Sequence, residues 1–452
     1  MRILHYSLGL PPYRTGGLTK YATDLMSAQN TSGDIMSLLY PGDYTFWKIP
    51  EMRIVNDMSY KGIRVYEIKN PSIVPLLHGV QTPDDIYNPK RHLSGKALDL
   101  FYNEVQPEVM HIHTLMGLPM ELVVYLKEKG VRIVFTSHDY YGLCPKVNFI
   151  NQKGGFCASP SGFNCAVCNK NSPGSLFLRI RNSKFILKHK EKIASIPVAL
   201  KAEKNKEYKE YYPPENRVQE YTDLLTYYIE LFNLIDCFHF NSTVSEEIYT
   251  QYYTPPQSVV IPISHSGIKD FRKIKTFDKN HIKLGFIGSI ADYKGFPMLK
   301  QVLTGLEEKG IINWSLQVWG GAMGLDTESK RIRYKGKFTP NEIAKVYEDI
   351  DFLIVPSIWK ETFSLITLEA LAHGVPVLVT TNVGAKDIIK EYNQDFIIEP
   401  TKSALHTKLM SVLSNPSLLA DYTEKINSES FNFDIETHIQ KIKELYLSVL
   451  KS

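Results

Sequence analysis

VPSIWKETFSLITLEALAHGVPVLVT, residues 355–380, reads as a single strand–loop–helix–strand unit. A short apolar strand ends at Pro356, Glu361 lies in the loop, and Phe363, Ser364 and Leu365 open a helix. Gly374 ends that helix before a second apolar strand at 376–380, an order that requires the two strands to run parallel. Working outward, residues 283–287, 315–318 and 352–356 have the same strand character, with helical patterns between them. The alternation also occupies residues 1–140, with strands expected at 3–7, 110–113 and 132–136. The expected class is α/β, with two doubly wound, Rossmann-like domains over 1–262 and 263–430. The join carries the Pro and Gly of TPPQSVVIPISHSGI, residues 254–268. Open parallel sheets bind ligands at the carboxyl ends of their strands, so two facing sheets would place the chemistry in a central cleft.

The 452 residues exceed a single minimal module, and 52 Lys plus Arg against 48 Asp plus Glu give a net charge of +4. That balance excludes a dedicated nucleic-acid binder, and 43% apolar residues exclude global disorder. No apolar run reaches 18 residues, so an ordinary membrane span is not expected. The first apolar stretch, MRILHYSLGL, is short for a signal sequence and reads as a strand of a cytoplasmic protein.

Several residues have the chemistry for a phosphorylated sugar ligand. Gly16 and Gly17 stand before a helix, where free N–H groups favour an anion. His138 follows the strand RIVFTS and has a hydrogen bond to offer a sugar hydroxyl or a leaving phosphate, whereas His111 and His113 read as packing residues. Lys294, in the loop GFIGSIADYKG (285–295), suits a departing diphosphate. Glu361 and Glu369 flank the amides of Ser364 and Leu365, which fits a polyhydroxylated, phosphorylated ligand such as a nucleotide sugar. Asp349 and Asp351 have D-x-D spacing but sit at a helix–strand junction, where boundary polarity is the simpler account.

Glu361 and Glu369 form an E-x7-E pattern. With Lys294-Gly295 before it, GVPVLVTTNVGAKDII after it and Gly16-Gly17 at the amino terminus, the chain resembles the retaining glycosyltransferases of family 4, of the GT-B fold. The resemblance implies that Glu361 holds donor sugar hydroxyls, Glu369 the ribose, Lys294 the diphosphate, Gly16 and Gly17 a phosphate-facing loop, and His138 the sugar and leaving phosphate. It also implies that a final helix, 431–452, packs back towards the first domain. Ser289 stands where the family commonly has an arginine, which shifts diphosphate charge onto Lys294 or onto an arginine elsewhere in the chain. The implied reaction is transfer from a UDP- or GDP-type sugar to a saccharide or lipid-linked saccharide, with retention, in bacterial surface polysaccharide assembly. It needs no catalytic cofactor. A sugar-nucleotide epimerase of the same architecture and a non-catalytic nucleotide-sugar binder are the alternatives.

Residues 140–230 fit neither domain pattern and read as an insertion on the first. Cys144, Cys157, Cys165 and Cys168 crowd into it with the ligand types of a structural zinc site, against two disulfides or free thiols. LFLRIRNSKFILKHKEKI, within 175–193, alternates apolar residues with Arg179, Arg181, Lys184, Lys188, Lys190 and Lys192. This pattern suits either a helix on an anionic membrane surface, at the inner face of the cell membrane, or a solvated charged face.

Overall fold

All seven expected strands form, each within one residue of its expected bounds, because short β-branched and aromatic runs buried on both faces are stable only inside a covered parallel sheet. The computed structural model describes residues 1–44, 51–88, 91–194, 211–321, 323–326 and 329–451. It divides into two compact units: unit 1 is Met1–Phe240, Ile248–Val259 and Ile439–Ser452, and unit 2 is Asn241–Glu247 and Val260–His438.

Unit 1 is built on β1 (Arg2–Tyr6), β2 (Ile35–Pro41), β3 (Arg53–Tyr60), β4 (Ile63–Lys69), β5 (Val109–Ile112), β6 (Arg132–Ser137), β7 (Cys237–Phe240) and β8 (Ser258–Val260). Their order is β3-β4-β2-β1-β5-β6-β7-β8, and β3 runs antiparallel to β4. The chain leaves β1 towards β2 and later returns to its other side as β5. Such a reversal opens a crevice at the carboxyl ends of the two strands, which is where the loop to Gly16 begins.

Unit 2 repeats the plan with β9 (Ile282–Ile287), β10 (Trp314–Trp319), β11 (Met323–Leu325), β12 (Ile332–Gly336), β13 (Phe352–Val355), β14 (Val377–Thr380) and β15 (Ile397–Ile398). The order is β11-β12-β10-β9-β13-β14-β15, parallel except for β11. Here the reversal falls between β9 and β13, the strands that lead to Lys294 and to Glu361.

Between β6 and β7 the chain forms short helices at Gly162–Cys168 and Ser175–Arg181, then Lys184–Ala194 and the long Glu215–Asn233. Of the tyrosines expected in the insertion, Tyr221, Tyr227 and Tyr228 lie on the last helix, which buries Tyr221, Leu224, Tyr228, Leu231 and Phe232 in the domain core, while Tyr211 and Tyr212 precede it and Tyr212 is exposed. Tyr208 lies outside the described residues. The basic segment is two helices broken at Asn182-Ser183, and its charges differ from the expectation of an outward basic face. Arg179 lies 3.6 Å from Asp85, and Lys184 reaches Glu67 at 2.7 Å and Asp57 at 3.1 Å. Four apolar residues of the segment, Leu176, Phe177, Ile180 and Phe185, are exposed. Lys188 is exposed as expected, while the side chains of Lys190 and Lys192 lie outside the described residues.

Candidate functional site

The loop after β9 ends in a 3₁₀ turn, Asp292–Lys294, followed by Gly295. Gly295 has φ 75°, and a Cβ there would stand 1.9 Å from the carbonyl oxygen of Pro356. Only glycine permits both that conformation and that approach, and the approach brings Lys294 against the loop that follows β13. Tyr293 reinforces it, its carbonyl accepting from the amides of Ile358 at 2.9 Å and Trp359 at 3.2 Å. Lys294 Nζ then lies 2.7 Å from Glu361 Oε1 and 5.3 Å from the Trp359 ring centroid. Ser357 Oγ donates to Glu361 Oε2 at 2.6 Å, so both carboxylate oxygens are engaged. The Glu361 backbone is itself fixed, its N–H donating to Asn382 O and its C=O accepting from Gly384 N.

The helix Leu365–Ala372 begins beside this loop, and no side chain caps it. Its first amides are therefore left to water or to an anion, and Glu361 is not a capping residue. Ser364, at φ 99°, forms the entry, and its hydroxyl accepts from Thr367 Oγ1 at 3.1 Å. Leu365 follows, half-buried, while Ser289 is exposed in the loop after β9.

Glu369 lies inside the helix and is 8% exposed. His265 Nε2 meets its Oε1 at 2.9 Å, and Tyr347 Oη donates to its Oε2 at 3.1 Å. Gly267 N–H donates to His265 Nδ1 at 3.1 Å, so the imidazole carries its proton on Nε2, aimed at Glu369. Burial beside Glu369 pushes the Tyr347 hydroxyl well above its usual pKa, which keeps it a donor. His265 and Tyr347 were not singled out from sequence. The signal was slight, a histidine in a Pro- and Gly-containing linker and a tyrosine on a short helix. Asp349 and Asp351 fit boundary polarity: Asp349 pairs with Lys335 at 2.7 Å, and Asp351 accepts from Lys283 N–H at 2.9 Å.

In unit 1, Gly16 has φ 115° and precedes the helix Gly17–Thr31, which also lacks a side-chain cap. The conformation alone calls for glycine here, since nothing crowds a Cβ within 4 Å. His138 follows β6 and is half-buried. Burial, with the neighbouring His239, lowers its pKa to about 3, so it is neutral at physiological pH. Its Nε2 lies 3.4 Å from Nδ1 of His113, in a buried chain of polar groups. Gln29 Oε1 accepts from His5 Nε2 at 3.0 Å, which leaves His5 Nδ1 to accept from His113 Nε2 at 2.9 Å. His113 Nδ1 is then the acceptor facing His138. On the other side Tyr446 Oη meets His111 Nδ1 at 2.6 Å, His111 Nε2 meets Thr136 Oγ1 at 2.6 Å, and Thr136 Oγ1 meets His239 Nδ1 at 2.8 Å. His111 and His113 are thus packing residues with satisfied ring nitrogens, as expected.

The four cysteines gather in the insertion. Cys165 and Cys168 lie on the helix Gly162–Cys168, Cys157 N–H donates to Phe149 O at 2.7 Å, and Cys144 closes a turn on Tyr140 O at 2.9 Å. All four are free thiols. Burial pushes Cys144 up to about 11, and Cys157 and Cys168 are near enough to add to the rise. Among the described residues, the one set of three potential metal ligands within 4.8 Å of one another is His5, His111 and His113. The sulfurs therefore have the donor chemistry of zinc at a wider spacing than the closed site would have, and the histidine set already spends its nitrogens on hydrogen bonds.

Residues 267–429, which contain Lys294, Glu361 and Glu369, match the family described as glycosyl transferases group 1. A D-inositol 3-phosphate glycosyltransferase from Corynebacterium urealyticum is 24% identical over 182 residues, 37% of this chain and 43% of that protein. The match thus spans less than half of that relative's length. A sucrose-phosphate synthase structure from Thermosynechococcus elongatus aligns over 99% of both chains, with TM-score 0.56 and 14% identity. Anabaena HepE, solved with UDP and glucose, aligns over 99% of this chain and 100% of its own, with TM-score 0.55 and 12% identity. The two parallel-sheet units are the Rossmann-like domains of the GT-B fold. Among the described residues no helix is long and apolar enough to cross a membrane.

Proposed function

We propose that the protein is a retaining glycosyltransferase that moves a hexose from a nucleoside diphosphate to an acceptor hydroxyl. The observation that carries this reading is the grouping of Lys294, Glu361 and Ser357 beside an uncapped helix start, at the carboxyl ends of β9 and β13. A cation and an anion site there suit a diphosphate, and the carboxylate suits the sugar hydroxyls. The match of residues 267–429 and the UDP-bound neighbour support the same donor class.

In this mechanism the bond from the sugar C1 to the diphosphate oxygen breaks, with its electron pair leaving on the phosphate. The acceptor oxygen bonds to C1 on the same face, and its proton passes to the departing phosphate. Lys294 turns from Glu361 to the diphosphate as negative charge grows there, and Glu361 takes up sugar hydroxyls. Glu369, oriented by His265 and Tyr347, receives the ribose. His138 and the loop of Gly16 and Gly17 are assigned the sugar and the leaving phosphate on sequence grounds. Rate enhancement comes from positioning and electrostatics, with no dedicated protein base.

Surface polysaccharide assembly supplies a suitable class of acceptor, and contact with a lipid surface is part of the reading. Because Arg179 and Lys184 are paired inward and Leu176, Phe177 and Phe185 point out, that contact is apolar and resists added salt in vesicle co-sedimentation. For the reaction itself, UDP- and GDP-sugars are assayed with saccharide acceptors, following nucleoside diphosphate and product anomer by NMR. Glu361→Ala and Lys294→Ala should each cut turnover by more than about a hundredfold while circular dichroism is unchanged. Nucleotide released with no glycosylated product, or near-normal rates in both variants, defeats the proposal.

A further inference from the structure

Where β1 and β2 end, unit 1 holds a small pocket that is partly open to solvent. Leu10, Pro11, Pro41, Met58 and Leu187 give it apolar walls, and Tyr13, Tyr40 and Tyr60 line it as well. Its charged groups are Arg14, Lys184 and Asp57.

These charges are not balanced alike. Lys184 is answered by Asp57 and by the buried Glu67, which also pairs with Lys69 at 2.9 Å. Tyr40 Oη donates to Asp57 Oδ2 at 2.6 Å, completing a closed and neutral set. Arg14 has no such partner. It is 9% exposed, and among the described residues its one side-chain hydrogen bond is to the neutral Asn182 Oδ1, at 3.0 Å. Asn182 is held in that orientation by its own amide, which donates to Val74 O and Leu178 O, both at 2.8 Å. The guanidinium is therefore positioned by a fixed acceptor and, among the described residues, has no carboxylate partner.

A second cation worsens the imbalance. Arg181 lies near enough to act on Arg14, and among the described residues its buried Nη1 has no hydrogen-bond partner. Burial brings Arg14 down to about 10, with the charge of Arg181 adding to the fall, so it is still cationic at neutral pH. A buried cation facing a like charge is costly unless a ligand supplies the counter-charge. Planar guanidinium forks match carboxylate and phosphate oxygens, and two neighbouring cations favour the more highly charged of these, the phosphate monoester.

We propose that this pocket receives the acceptor, that the acceptor is a phosphorylated saccharide, and that Arg14, with Arg181 behind it, binds the phosphate. The inference deepens the transferase reading and rests on it for the word acceptor; the anion site itself rests on Arg14 and Arg181.

Isothermal titration on the full chain uses inorganic phosphate, glucose 6-phosphate, glucose and UDP as separate probes. Glucose 6-phosphate or inorganic phosphate should bind at one site at least about tenfold more tightly than glucose, and Arg14→Gln should weaken that binding at least about tenfold with UDP affinity unchanged. Arg14→Lys should fall between, and Arg181→Gln should weaken phosphate binding in a protein whose pocket residue Arg14 is intact, which keeps the test valid if Arg14→Gln does not fold. Phosphate compounds that bind no better than glucose overturn the proposal, as does unchanged phosphate binding in both Arg14→Lys and Arg181→Gln. Loss of UDP and phosphate binding together on Arg14→Lys also overturns it, since Arg14 then serves the donor. Failure of UDP to bind the unmodified protein tells against the transferase reading and leaves the phosphate result standing.

Discussion

Lowering the pH from 7 to 5 should loosen unit 1 selectively, because its sheet encloses histidines that cannot take a proton. His5 is 0% exposed, and burial lowers its pKa from 6.5 to about 3. In the unfolded chain the same ring is mostly charged at pH 5. The sign follows directly: the unfolded state binds the proton first, so stability falls as the pH drops below 6.5 and goes on falling towards 3. Integrating between pH 7 and 5, His5 alone removes about 2 kcal/mol. His113, 1% exposed and also lowered well below the usual value, acts in the same direction. Asp139 opposes them: burial raises its carboxyl to about 6, so protonation on going to pH 5 favours the folded state. It is half-buried and returns only part of the loss. The measurement is hydrogen–deuterium exchange of β1 and β5 amides at matched intrinsic rates, at pH 7 and 5, in the unmodified chain and in His5→Gln. Protection should fall at pH 5, and His5→Gln should flatten the pH dependence by about 2 kcal/mol while lowering protection at both values. Equal protection at the two pH values, or the same slope in His5→Gln, would refute the reasoning.

Other outcomes are equally specific. His265→Ala should raise the donor KM by about tenfold with a smaller change in kcat, since it frees Glu369 without touching Lys294 or Glu361; a fall confined to kcat speaks against the ribose role. Gly295→Ala should destabilise unit 2 by about 2 kcal/mol or more, while Gly305→Ala, in the helix Phe296–Glu308 with nothing within 4 Å of its new Cβ, should be neutral or stabilise by about 1 kcal/mol. Trp314, Trp319 and Trp359 report both by fluorescence, and equal midpoints in the two variants contradict the close-approach argument. A zinc site at Cys144, Cys157, Cys165 and Cys168 requires the four sulfurs to draw closer than they stand; protein purified without chelator should then carry close to one zinc, lost on Cys165→Ser, and less than about a tenth of an equivalent ends that expectation.

The amino-acid sequence alone determined the class of fold and the local half of the site. Parallel α/β architecture is written in short-range periodicity, and Glu361, Ser364 and Glu369 share one strand–loop–helix passage, so chain geometry over a few residues suffices to place them. Tertiary structure decided the rest, because those contacts depend on strand order and on close approach between distant segments. Lys294 meets Glu361 across 67 residues only because Gly295 fits beneath Pro356, and His265 meets Glu369 across 104. Lys184 reads as a surface cation in its helix, yet Glu67, 117 residues away, draws it inward. Arg14 was passed over in its loop because an isolated charge looks like any other in a string of letters, and its lack of a counter-ion emerges only when its neighbours in space are known.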